Sequence, residues 1–283
     1  KITAYALDHD MRIVGPNIFG IYSAAVSLDA TFGPGNILPG NVAIVTQSGA
    51  LGLAMIGKTK VDNIGLSSIV SVGNKSDIDE ADLLEYLTRQ DRTKVIFMYI
   101  EGIKNGERFI AAVNQATRHK PVVVIKSGRS ARGAVAAASH TGALAGADDI
   151  VDAILRQNGV LRADSIQDGF NLCKFLAGSP LPTNEHTLIV TNGGGIGVMA
   201  TDACERHQIN LYDDSETLKD LFSPVTPSFG STKNPIDITG GATSKAYDSA
   251  LSVALNTKEI GASVALYCET AVFAASDLQK TLE

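Results

Sequence analysis

Three short turns hold residue types suited to handling phosphate. Thr46-Gln47-Ser48-Gly49-Ala50-Leu51-Gly52 follows a β-branched run at 42–45. Its small residues let backbone N–H groups at a helix N-terminus face an anion, helped by the helix dipole and the Ser48 hydroxyl. Thr191-Asn192-Gly193-Gly194-Gly195-Ile196-Gly197 follows a second such run at 187–190. Consecutive glycines are entropically costly, so their presence points to a ligand phosphate that needs close access to the backbone. On spacing alone, the first could equally be a simple turn, and the alternative for the second is a glycine-rich packing turn. The third, Ser139-His140-Thr141-Gly142-Ala143-Leu144-Ala145-Gly146, places a histidine in a loop of small residues. A neutral imidazole nitrogen can accept a phosphoryl group if a carboxylate orients the other ring nitrogen, although a loop histidine is commonly structural. The candidate carboxylate is Glu101, after the apolar run 95–100 and before Gly102. Carboxyl ends of parallel strands face the ligand crevice, whereas the bland alternative is a surface acid. His9, His119, His186 and His207 lack such surroundings and read as structural.

A competing pattern overlaps the second turn. Gly195, Gly197 and Ala200 satisfy G-x-G-x-x-A, with Asp213 and Asp214 beyond the next apolar run as ribose acceptors. That pattern would make the second half a dinucleotide-binding dehydrogenase domain, and it leaves the first half unexplained.

The elements that must carry these turns repeat one motif: a short β-branched run, a Gly-rich or polar turn, then a stretch of helical period. The spacing predicts strands at 42–45, 68–72, 95–100 and 122–125, with helices at 51–61, 79–88 and 108–118. Four strands and three crossovers make a doubly wound α/β sheet. The Ala-rich stretch that ends in His140 reads as a loop interrupting the pattern, before a helix at 148–157. Two prolines and a Gly-Ser pair mark 178–184 as a linker. Beyond it, strands are predicted at 187–191, 209–212 and 264–268, with helices at 197–207 and 245–255.

The bulk properties fit two globular domains: 283 residues, 45% hydrophobic, 19% charged and 27 glycines. A net charge of −6 without a basic run gives no electrostatic footprint for nucleic acid or an anionic membrane. Apolar runs are strand-length, and Cys173, Cys204 and Cys268 have no metal-ligand spacing. Cysteines without a CxxC pair read as buried or incidental thiols and favour a reducing, cytoplasmic compartment. A first residue of Lys points to a piece of a longer chain.

Taken in order, the motifs are Gly15-Pro16-Asn17 with Gly20, Gln47-Ser48-Gly49-Ala50-Leu51-Gly52, Ser71-Val72-Gly73-Asn74-Lys75 with Asp77 and Asp79, Tyr99-Ile100-Glu101-Gly102, Ser139-His140-Thr141-Gly142, Thr191-Asn192-Gly193-Gly194-Gly195 and Asn234-Pro235-Ile236-Asp237. Along nearly the whole chain this series resembles the succinyl-CoA synthetase superfamily, and most closely the ADP-forming acyl-CoA synthetases. The resemblance implies two flavodoxin-like, succinyl-CoA synthetase-like domains, at 21–178 and 183–283, after a tail at 1–20 from an absent CoA-binding domain. It implies His140 as the phosphorylated residue and Glu101 as its support. Phosphate falls to Gln47, Ser48, Gly49, Gly193, Gly194 and Gly195, the two helix N-termini both serving the phosphohistidine. Asn17, Asn74 and Lys75 are implied near CoA or the acyl group, and no metal site is implied in this chain. Coenzyme A, ATP or ADP, and Mg²⁺ are the implied cofactors, with nucleotide and metal bound mainly by an absent ATP-grasp domain. CoA-binding and ATP-grasp domains or subunits are thus the implied partners of an oligomeric ligase that does not turn over as this piece alone. Ile18 departs from the smaller or thiol-bearing residue usual in the family. CoA-ligase-like domains also occur as regulatory modules fused to protein acetyltransferases, which leaves that alternative open beside the ligase.

Overall fold

The computed structural model describes residues 2–33, 35–141, 148–272 and 274–282, with the backbone alone for 137–141. The chain divides into two units, Lys1–Pro180 and Leu181–Glu283.

The first unit opens with a short helix, α1 (Ile2–Leu7), and an antiparallel hairpin, β1 (Gly20–Ser23) and β2 (Leu28–Thr31). Strands and helices then alternate: β3 (Pro39–Thr46), α2 (Gly49–Val61), β4 (Leu66–Ser71), α3 (Glu80–Thr88), β5 (Val95–Ile100), α4 (Gly106–Thr117) and β6 (Val122–Lys126). Helices α5 (Ala131–Thr141) and α6 (Asp148–Gln157), strand β7 (Leu161–Arg162) and helix α7 (Ile166–Gly178) complete the unit. The sheet order is β2-β1-β4-β3-β5-β6-β7. Strands β3 to β7 are parallel and, counted in chain order, lie 2-1-3-4-5, which is the flavodoxin-like winding. Its switch point falls between β3 and β5.

Alternation along each strand builds the core on both faces, because successive side chains point to opposite sides of a sheet. Val45, Met98 and Val124 face α3, α4 and α6 through Leu84, Val113 and Leu155. Ile44, Phe97 and Val123 face α2 and α7 through Met55, Ile56 and Phe170. Strands β5 and β6 therefore read as nearly continuous apolar runs, as in sheets covered on both sides, while β4 buries Ser67, Ser68 and Ser71 as well.

The second unit contains β8 (Thr187–Thr191), α8 (Gly194–Arg206), α9 (Ser215–Phe222), β9 (Ile236–Asp237), α10 (Ser244–Asn256), β10 (Ala262–Leu266) and α11 (Ala275–Leu282). Its parallel sheet runs β10-β8-β9 over a separate core that includes Leu188, Val190, Phe222, Tyr247 and Leu251.

Two expectations are corrected. The stretch ending in His140 is helical in backbone, not a loop, consistent with the high helix propensity of its five alanines. The strand expected at 209–212 reduces to a single bridge between Leu211 and Thr187. The Asn234 side chain lies there instead, donating to Thr187 O (2.8 Å) and Tyr212 O (3.0 Å) and accepting from Ile189 N (3.0 Å). Among the described residues, no helix is long and apolar enough to cross a membrane.

Candidate functional site

In the first unit, the turn after β3 is built by its own side chains. Thr46 Oγ1 donates to Ser48 O (2.9 Å) and accepts from Ser48 N (3.1 Å), closing the strand end into the helix start. Ser48 is the N-cap of α2, and its Oγ accepts from Leu51 N (3.3 Å), which leaves its O–H free to donate elsewhere. A Cβ on Gly49 would meet nothing closer than Phe19 N at 4.0 Å, so packing does not explain the glycine. On Gly52 a Cβ would lie 2.3 Å from the Phe19 ring, so that glycine serves the seating of α2. Gly49 thus leaves open space at a helix start, where the first N–H groups lack intrahelical partners.

Gln47 does something other than contact phosphate. Its Oε1 accepts from Glu101 N (2.7 Å) and Gly102 N (3.0 Å), and its Nε2 donates to Gly102 O (2.8 Å) and to Glu80. Its own N–H donates to Tyr99 O (3.2 Å). With two lone pairs and two N–H groups in use, the amide has no hydrogen-bonding position left for a ligand. Gln47 therefore supports the turn and does not offer it a donor.

Glu101 sits at the carboxyl end of β5, beside the switch point, and is 7% exposed. Burial, together with the neighbouring Glu101 carboxylate, pushes the Tyr99 phenol above its ordinary range, against the pull of Ser127. Lys126, at the end of β6, is buried, and desolvation lowers its ammonium pKa while Asp148 and Glu101 oppose the shift. Glu101 and Lys126 share the wall of a cavity of about 250 Å³ with Ile103, Phe109, Ile110 and Leu155. The His140 side chain lies outside the described residues, as does 142–147, so its approach to Glu101 is not described.

The three residues expected near CoA divide. Asn17 and Asn74 are exposed and joined to each other (Nδ2 to Oδ1, 3.3 Å). Lys75 is 8% exposed and turned inward, donating to Glu80 Oε1 (2.5 Å) and Gly102 O (2.6 Å).

The second unit repeats the turn in atomic detail. Thr191 Oγ1 donates to Gly193 O (3.1 Å) and accepts from Gly193 N (3.0 Å). Asn192 takes the place of Gln47, accepting from Cys268 N (2.7 Å) and donating to Cys268 O (2.9 Å) beyond the end of β10. Asn192 N donates to Tyr247 Oη (3.0 Å), which donates to Leu266 O (2.6 Å). Burial pushes the Tyr247 phenol up to about 12. The glycines differ in their neighbours: a Cβ on Gly193 would lie 2.8 Å from Cys268 Sγ, and one on Gly194 would lie 3.1 Å from Asp237 Oδ2. A Cβ on Gly195 would meet nothing within 4 Å.

The dinucleotide pattern does not survive this geometry. The strand that should lead to its ribose acceptor is absent, and Asp214 instead caps α9, accepting from Thr217 N (3.1 Å) and Thr217 Oγ1 (2.9 Å). Those bonds hold the Asp214 carboxyl below its ordinary range. Among the described residues there is no group of three or more His, Cys, Asp or Glu side chains able to hold a metal.

Sequence reasoning missed Glu80 and Lys104. Lys104 donates to Asn74 O (2.8 Å) and Lys75 O (2.7 Å). The one local signal at Glu80 was the capping box of Asp79 and Asp82 around it.

A flavodoxin-like unit followed by a second parallel unit, each ending the first strand of its parallel sheet in a clamped turn onto a helix, defines a pair of CoA-ligase domains. Residues 39–176 match the succinyl-CoA ligase like flavodoxin domain and residues 187–279 the ligase-CoA domain. The chain belongs to the ADP-forming acyl-CoA synthetase family of the succinyl-CoA synthetase superfamily. It is 50% identical over 278 residues to the acetate–CoA ligase [ADP-forming] I subunit alpha of Pyrococcus furiosus, covering 98% of this chain and 60% of that protein. It is 37% identical to the 4-hydroxybutyrate–CoA ligase [ADP-forming] of Nitrosopumilus maritimus, over 94% of this chain and 38% of that protein. Among solved structures, the dinucleotide forming acetyl-coenzyme A synthetase 1 of Ca. Korarchaeum cryptofilum, in complex with phosphate and ADP, superposes with a TM-score of 0.93 at 44% identity. That match covers 99% of this chain and 61% of the other. The chain therefore spans about three fifths, or less, of the length of these relatives.

Proposed function

We propose that this chain is the phosphoryl-relay part of an NDP-forming acyl-CoA synthetase, with His140 as the relay and Glu101 as the carboxylate that orients it. The observation that carries this reading is the placement of a buried carboxylate at the switch point of a flavodoxin-like sheet, next to a turn whose Gly49 has no packing role.

The reaction divides into three steps. Phosphate oxygen attacks the thioester carbon of acyl-CoA, the C–S bond breaks, and acyl phosphate and CoA result. A neutral His140 ring nitrogen then attacks phosphorus, an N–P bond forms, the anhydride P–O bond breaks and the carboxylate leaves. Finally an ADP β-phosphate oxygen takes the phosphoryl group and the N–P bond breaks. Ser48 Oγ–H and the N–H groups at the start of α2 are suited to the oxyanion charge, and Glu101 to the positive charge on the imidazole. Coenzyme A, the nucleotide and Mg²⁺ are bound mainly by other domains or subunits, where the metal supplies charge neutralisation at the phosphates.

The test uses the chain reconstituted with CoA-binding and ATP-grasp parts. Labelled phosphate plus acyl-CoA is expected to give a protein-bound label that alkali preserves and acid releases. His140→Asn is expected to abolish the label while acyl phosphate still forms. Glu101→Gln is expected to slow labelling by about two orders of magnitude, a usual scale for a positioned acid–base group. Full nucleotide-forming activity in the His140→Asn enzyme would overturn the proposal.

A further inference from the structure

Glu80 and Lys75 form a buried ion pair that none of the chemical steps uses. Glu80 is the first residue of α3 and is 2% exposed; Lys75 lies in the loop after β4 with φ +52. A buried pair of this kind gains little net stability over an apolar pair, because desolvating both charges offsets their attraction. A left-handed backbone at a lysine is also unfavourable. The arrangement is better accounted for by what it holds.

What it holds is the peptide of the proposed catalytic carboxylate. Glu80 accepts from Gln47 Nε2 and from Lys75 Nζ, and Lys75 Nζ also reaches Gly102 O at 2.6 Å. Gln47 Oε1 then receives the N–H groups of Glu101 and Gly102, at 2.7 and 3.0 Å. An amide side chain can turn over and exchange its donor and acceptor ends. The Glu80 and Gly102 O acceptors on one side remove that freedom, so Oε1 must face the two backbone donors. The tie is reciprocal, since Lys104 from the loop after β5 donates to the carbonyls of Asn74 and Lys75.

We infer that Lys75 and Glu80 are positioning residues of the phosphoryl relay, acting through Gln47 to fix the backbone from which Glu101 projects. The inference rests on the relay reading, and it moves Lys75 from the neighbourhood of CoA to the support of the carboxylate.

Removing one charge alone risks unfolding, so the informative variant removes both. Lys75→Met/Glu80→Leu replaces the pair with apolar groups, a change that buried ion pairs tolerate, yet it leaves Gln47 Nε2 with Gly102 O alone of its two acceptors. In this chain, NMR-detected hydrogen exchange at the Glu101 and Gly102 amides is expected to accelerate at least about tenfold, with the Phe97 and Met98 amides of β5 unchanged. In the reconstituted enzyme, phosphoenzyme formation is expected to slow at least about tenfold, with KM for acyl-CoA held within about twofold. Lys75→Met/Glu80→Gln restores an acceptor without a buried charge and is expected to recover both measurements. Unchanged exchange at Glu101 and Gly102, loosening of all of β5, or normal phosphoenzyme formation despite loosened amides would each overturn the inference. A wild-type enzyme that forms no phosphoenzyme would remove the relay reading, while the exchange comparison would still decide whether the ion pair holds this backbone.

Discussion

Gly193 and Gly195 are both glycines in one turn, but for different physical reasons. A Cβ at 193 would sit 2.8 Å from Cys268 Sγ, whereas at 195 it would enter open space. Gly193→Ala is expected to destabilise the second unit by about 1–3 kcal/mol, the usual cost of overpacking. Adding Cys268→Ala removes the obstructing sulfur and is expected to restore most of that loss, as read by urea unfolding in a double-mutant cycle. Gly195→Ala is expected to stay within about 0.5 kcal/mol of the parent in stability. If the turn binds an anion, the same variant weakens phosphate binding measured by calorimetry, because the methyl group occupies the approach. Equal stability losses at 193 and 195 would show that both glycines serve packing alone.

At the scale of elements, the two clamped turns depend on helices seated close to their strands. Gly52 lets α2 meet Phe19 and Thr46 Cγ2, so Gly52→Ala is expected to cost at least about 1–3 kcal/mol and to lower the thermal midpoint. Tyr247→Phe leaves Asn192 N–H and Leu266 O without their shared hydroxyl. The expected cost is about 1–3 kcal/mol, the penalty for buried groups left unpaired. Much of this layout was legible in the sequence. The strands β3, β5 and β6 stand out because they are covered on both faces and carry apolar runs at 42–45, 95–100 and 122–125, and the turns stand out by their glycines. Helix α7 was missed, although Ser165 caps it by accepting from Asp168 N–H. What could not be read depends on partners distant in sequence. Asn234 occupies the place of the strand expected at 209–212, and nothing near Lys75 reveals that Gly102 O will lie against its ammonium. The hairpin β1–β2 was missed because β2 is an exposed edge strand without apolar alternation.

At the scale of the whole molecule, each unit has its own core, so residues 181–283 expressed alone are expected to unfold cooperatively in urea. In the first unit, acid should act at the segment tying Arg12–Ile13 to the β4–α3 loop. The Arg12 guanidinium and Ile13 N–H hold the Asp77 carboxyl below its ordinary range. Asp82 is held low by Arg108, Asp79 N–H and Arg12 against the desolvation that opposes them. Because these folded-state values are depressed, the stabilisation is complete above the unfolded carboxylate pKa of about 3.9 and is lost as pH falls through the folded values. Asp77→Asn is therefore expected to destabilise at about pH 7 and to approach the parent as pH falls through the lowered folded-state value of Asp77. A constant difference across that range would show that the charge is not the source. The clamp shared by both units has a further consequence. At the end of the neighbouring strand, Gln47 and Asn192 grip main-chain atoms, of Glu101 and Gly102 in one unit and of Cys268 in the other. The side chain at the gripped position is thereby released from any duty to the architecture. A carboxylate stands there in one unit and a thiol in the other, so the same frame can exchange its reactive group by a single substitution without being rebuilt.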